Sequence, residues 1–177
     1  MQSVAARSAR APASSAFTLV ELLIVMAIIG IIASIAVPSL IRARMTANEA
    51  SAISSLQAIQ NAQLAFRTAC GSDRDFAATL PQLGAARTLT PDLTWAVTVV
   101  KSGYRVTLSP TTPGVANDRC TDQATAETWY AEAVPLSPGG SGTRGFATSQ
   151  GDSIWRDTSG APPVLPFTPS ATVARID

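Results

Sequence analysis

Residues 16–40 read AFTLVELLIVMAIIGIIASIAVPSL, an apolar run of membrane-spanning length with one carboxylate, Glu21, near its start. At 1.5 Å of rise per residue, about 20 apolar residues cross a hydrocarbon core ~30 Å thick. In lipid such a stretch must be helical, because only a helix satisfies its backbone groups within the segment. A charged side chain at the centre of a spanning helix costs about 2.5–3.5 kcal/mol on insertion scales. An acid inside the span therefore needs a partner, and Glu21 stands one helical turn beyond the Ala16–Phe17 junction.

Two ordinary readings fit less well. Residues 1–15 carry Arg7 and Arg10 and no acid. A secretory signal also starts basic, but its apolar core is about 7–15 residues long and ends in small residues at a cleavage site. Here the core is longer, contains an acid and runs into Pro38, Arg42 and Arg44. A plain anchor explains the length but not Glu21. Arginines flank both ends of the run, so charge asymmetry gives no orientation.

The 177 residues favour one domain beyond this segment. A net charge of +1 gives no basis for nucleic-acid binding or a polybasic membrane patch. Lys101 is the single lysine, and the chain has no histidine, which removes every mechanism needing an imidazole base. Cys70 and Cys120 both follow the apolar segment. In an exported domain they read as one disulfide, and in the cytosol as free thiols.

The sequence Ala16–Phe17–Thr18–Leu19–Val20–Glu21, followed by Gly30 in mid-segment and Pro38 near its end, closely resembles the prepilin signal of type IV pilins and type II secretion pseudopilins. The resemblance covers about 25 contiguous residues and implies several roles. A prepilin peptidase would cut between Ala16 and Phe17, releasing a leader over residues 1–16, and methylate the new amine of Phe17. Glu21 would pair with the Phe17 amine of a neighbouring subunit during assembly. The dipole at the helix N-terminus favours that carboxylate, and a low-dielectric layer couples the pair strongly. Gly30 and Pro38 would mark a stretch that loosens when the subunit leaves the membrane, with Pro38 kinking the helix. Ala16 departs from the Gly that the family prefers, so slower processing is expected rather than its loss.

Beyond Pro38, residues 41–69 remain helical in pattern but become amphipathic. Ile53, Leu56, Ile59, Gln63 and Phe66 recur every three to four residues, while Arg42, Arg44, Asn48, Glu49, Gln57 and Asn61 occupy much of the remainder. Gly71 suits the helix end. Residues 95–100 and 104–108 read as a hairpin around Ser102–Gly103, residues 128–134 as a third strand, and residues 144–149 with 153–157 as a second hairpin. Residues 76–93 read as loop, and the tail from Gly160, with Pro162, Pro163, Pro166 and Pro169, as extended chain. The expected fold is α+β: a long N-terminal helix, membrane-spanning over 17–40 and amphipathic over 41–69, packed on a small antiparallel sheet. A β-rich head over 70–177 carries the Pro-rich tail. The resemblance implies the same pilin fold.

No catalytic constellation is visible, so the chain does not read as an enzyme and no cofactor is expected. Serines and threonines lack a histidine partner, and no phosphate-binding loop is present. Asp152 and Asp157 offer oxygen ligands of the kind calcium takes, but the acids around them are sparse and a solvated turn is expected. Without residues 1–16, eleven basic side chains face twelve acidic ones, a near-neutral surface compatible with dense packing of identical subunits. The expected function is structural: a subunit of a type IV pilus or pilus-like filament, waiting in the inner membrane with its head outside the cytoplasm and polymerising through its apolar helix. The partners implied are further copies or other pilins, the peptidase, an inner-membrane assembly platform and lipid. The alternatives are a type II secretion or competence pseudopilin in a short periplasmic filament, or an anchored binding module that never polymerises.

Overall fold

The computed structural model describes residues 17–72, 75–151 and 153–176. The chain divides into two compact units, Met1–Ser39 and Leu40–Asp177. The described part of the first unit is almost entirely helix. Helix α1 begins at Leu19 and its assignment continues to Ala69, with Pro38 inside it. Its first part buries nothing within the protein: Leu23, Ile28 and Ile32 are all exposed, as is every other large apolar side chain between Phe17 and Ile41.

In the second unit, helix residues 40–69 lie against an antiparallel sheet. The strands are β1 (Phe76–Ala77), β2 (Thr98–Lys101), β3 (Tyr104–Asn117), β4 (Ala124–Pro135), β5 (Gly145–Ser149), β6 (Ile154–Asp157) and β7 (Val173–Ile176). They are ordered β2–β3–β4–β5–β6–β7, with β1 paired to β4. The expected α+β layout is therefore present. The apolar helical stripe is buried as its spacing predicts: Leu56, Ile59 and Phe66 meet Tyr104, Val106 and Leu108 of β3, Trp129 and Ala131 of β4, and Phe146 of β5 in one core. Gln63 sits in the same stripe because its side-chain amide mimics a strand. Its Nε2 donates to the Ala77 carbonyl and its Oε1 accepts the Ala77 N–H, both at 2.9 Å.

The first hairpin turns through Ser102 and Gly103, both at positive φ (47° and 73°). A two-residue turn with both central residues left-handed matches the twist of the flanking strands. Strand β3 runs nine residues further than the sequence pattern suggested, to Asn117. Beyond Leu108 it has β4 on one side only, and Pro110 and Pro113 lie at register breaks in that free edge. Proline and bulges there discourage pairing with another chain.

Two regions differ from the sequence reading. Residues 76–93, expected as loop, contain β1 and a short helix α2 (Leu80–Ala85), capped by Thr79 Oγ1 accepting the Gln82 N–H. A proline in the first turn is tolerated because that N–H has no helical partner anyway. The Pro-rich tail does not stay extended to its end but returns as β7 on the sheet edge. On the way it crosses the sheet face opposite the helix. The Tyr130 hydroxyl donates to the Pro163 carbonyl at 2.6 Å, and the Phe167 ring stacks on Trp155 with centroids 5.6 Å apart. Gly145 permits this close pass, since a Cβ there would lie 2.1 Å from the Ala161 carbonyl oxygen.

Candidate functional site

The first turn of α1 is a capping box. Thr18 precedes the helix and Glu21 is its third residue. The Thr18 N–H and hydroxyl both donate to Glu21 Oε2, at 2.9 and 2.8 Å, and the Glu21 N–H donates to Thr18 Oγ1 at 3.2 Å. Two backbone donors that a helix start leaves orphaned are thereby satisfied reciprocally. The carboxylate expected to lack a partner in a single chain thus has one within its own turn. The signal is legible in the sequence as Thr18-x-x-Glu21 ahead of an apolar run.

Of the other residues singled out from sequence, Phe17 is fully displayed at 86% exposure, and Ala16 lies outside the described residues. A Cβ on Gly30 would have open space around it, so no contact among the described residues requires glycine there. Pro38 sits within the helix and has no N–H to donate to the preceding turn. Arg7, Arg10 and Asp152 are likewise outside the described residues. Asp157 Oδ1 accepts the Ser159 N–H at 2.8 Å. Among the described residues, no group of three or more Asp, Glu, Cys or His side chains is placed to hold a metal ion.

Cys70 and Cys120 are joined, closing a loop of 50 residues at the end of α1. The surrounding polar groups make this a clamp. The Arg119 N–H donates to the Cys70 carbonyl at 2.8 Å, and its guanidinium donates to the carbonyls of Gly71 and Ser72. A cation on the last carbonyls suits the negative end of the helix dipole. Asp118, buried beside it, accepts the N–H groups of Cys120, Thr121 and Gln123, the Thr121 hydroxyl and the Gln82 amide. Burial pushes its carboxyl up, but the bonds from Thr121, Gln82 and Cys120 outweigh this and hold it below the usual carboxylate range.

The second polar site was missed altogether. Glu49, read from sequence as part of the wet helix face, is buried at 5% exposure. Its Oε1 accepts the Thr143 N–H and hydroxyl and the Arg144 N–H, and its Oε2 accepts Arg144 Nε and Nη2. Burial raises its carboxyl, yet the donors from Arg144 and Thr143 prevail and the pKa is lowered. Nearby, Asn48 Nδ2 donates to the Ser141 carbonyl, and the Ser51 hydroxyl donates to the Ser102 hydroxyl. These contacts fix the rotation of the helix on the sheet. Helical spacing could not have found them, since the partners are 51 to 95 residues away.

Among the described residues, nothing in this geometry positions a nucleophile or a proton-transfer pair. What it offers is a capped, lipid-compatible helix joined to a head whose attachment is locked at both ends. Three comparisons bear on that arrangement. A family model described as the prokaryotic N-terminal methylation motif matches residues 12–37. The type IV major pilin protein PilA of Myxococcus xanthus (strain DK1622) is 41% identical over 66 residues, a match spanning 37% of this chain and 30% of that relative. No solved structure gives a significant match.

Proposed function

We infer that this chain, which carries a prokaryotic N-terminal methylation motif and resembles a type IV major pilin over 66 residues, is a structural subunit of a type IV pilus or pilus-like filament. The observation that carries this reading is the first half of α1. Its apolar side chains are all exposed, and its start is marked by the Phe17–Thr18–x–x–Glu21 signature. An apolar helix of this length needs lipid before assembly and other helices after it.

In this reading prepilin peptidase cuts between Ala16 and Phe17 and methylates Phe17. The scissile bond precedes the cap residue Thr18, so it lies outside the hydrogen-bonded helix. The inner-membrane subunit then meets the assembly platform and enters a homopolymer or mixed filament at the cell surface. There Glu21 exchanges its own Thr18 donors for the Phe17 amine of a neighbour, while Gly30 and Pro38 let the helix adjust. The relative's name, a major pilin, favours a pilus over a secretion pseudopilin.

The test is to shear filaments from cells expressing the chain and sequence the subunit's N-terminal peptide by mass spectrometry. N-methyl-Phe17 in the filament is the expected result. A subunit still beginning at Met1, or one absent from filaments, rejects the reading.

A further inference from the structure

Charge is distributed unevenly along the second unit. Arg42 and Arg44 lie at the start of its helical segment, and Cys70 follows its last residue, 28 residues beyond Arg42 or about 42 Å along a helix. At the Arg42 end the acids among the described residues are already engaged. Glu49 is held by Arg144, Asp92 by Lys101 at 2.6 Å, and Asp157 by the Ser159 turn. Arg42 and Arg44 are both exposed and make no ion pair among the described residues.

The Cys70 end has the opposite balance. Asp122, on the turn tied to the helix by the disulfide, and Glu127, on β4 beside the β1 pairing, are exposed and without an ion-pair partner among the described residues. Among the described residues, the Asp122 side chain receives the Asn117 amide, at 3.2 Å. Among the described residues at this end, Arg119 is engaged by the carbonyls of Gly71 and Ser72, and Arg67 lies over the Phe76 ring at 4.9 Å.

We propose that, in the filament, the Arg42–Arg44 end of one head docks against the Asp122–Glu127 end of another copy. The proposal rests on the filament reading above. The contact joins two different surfaces of the same chain, so it repeats from copy to copy, and it extends a fibre where the rotation between copies does not close a ring. Opposite charges facing each other set the register, and like charges brought into the same contact repel.

The experiment uses the full chain in a host that processes prepilins, with R42E/R44E, D122K/E127K and the combination of all four substitutions. Subunit level in the membrane and yield of sheared filaments are measured together. Each reversal alone is expected to lower filament yield roughly tenfold or more, and the combination to recover most of it. Normal yield from either reversal, or no recovery in the combination with the subunit present at wild-type level, overturns the contact. As an independent measure, R44C/E127C filaments should give a ladder of disulfide-linked subunits under oxidation. Assembled filaments without a ladder reject the contact even where the reversals fail to fold. A wild-type chain that never forms filaments sinks the filament reading itself, and the contact with it. Wild-type filaments that tolerate the reversal sink the contact alone.

Discussion

Arg144 holds Glu49 from two directions: its guanidinium donates to one carboxylate oxygen and its backbone N–H to the other. The two residues are 95 positions apart and join the helix to the loop before β5. Replacing Glu49 with Ala strands a partly buried guanidinium and three further donors. A loss of about 2–3 kcal/mol is expected, below the usual cost of breaking a fully buried pair because Arg144 remains 31% exposed. Thermal unfolding of the full chain in detergent measures it, and an unchanged midpoint would show that the lock contributes nothing.

Acidification should act through the same carboxylate. The folded-state pKa of Glu49 is lowered, so its stabilisation is complete above the unfolded value and disappears as pH falls through the folded one. Asp118 is shifted in the same direction and adds to the effect. The unfolding midpoint should therefore hold steady near neutrality and drop below about pH 4. Glu49→Gln should lower the plateau and flatten part of that drop. A drop of equal size in the variant would assign the acid sensitivity elsewhere.

Thr18 and Glu21 form a unit, so Thr18→Ala should weaken the first turn of α1 by about 1 kcal/mol while Thr18→Ser should not. Amide exchange at residues 19–22 in micelles reports this directly. Faster exchange is expected in the Ala variant alone. Equal protection in both would mean that the cap is not formed in a membrane-like medium.

Gln63→Leu keeps the volume of the stripe but leaves the Ala77 N–H and carbonyl without side-chain partners. The expected loss is about 1–3 kcal/mol, the usual penalty for buried groups left unpaired. A neutral or stabilising result from urea unfolding would show that water reaches Ala77.

Gly145 has a steric rather than a conformational duty. A methyl group there would collide with the Ala161 carbonyl, so Gly145→Ala should displace the Pro-rich strap from the sheet. Overpacking of this kind costs about 1–3 kcal/mol. Proteolysis should then cut first between residues 160 and 172. Wild-type resistance in that segment would mean that the strap accommodates the added carbon.

Much of this protein is written in local pattern. The apolar span, the Thr18–Glu21 box and the helical stripe through Leu56, Ile59 and Phe66 follow from neighbours one to four residues apart. The two short hairpins follow from alternation and turn residues. These features are determined by the sequence because backbone periodicity alone places their side chains. Other features were decided only by tertiary structure. Glu49 looks like any solvated helix residue until Thr143 and Arg144 arrive from the far side of the sheet. Gln63 looks like a flaw in an apolar stripe until Ala77 lies beside it. The tail looks extended until Tyr130, Trp155 and the bare Gly145 give it a surface to cross. In each case a buried polar or backbone group must find a partner, and only the folded chain brings that partner within hydrogen-bonding reach.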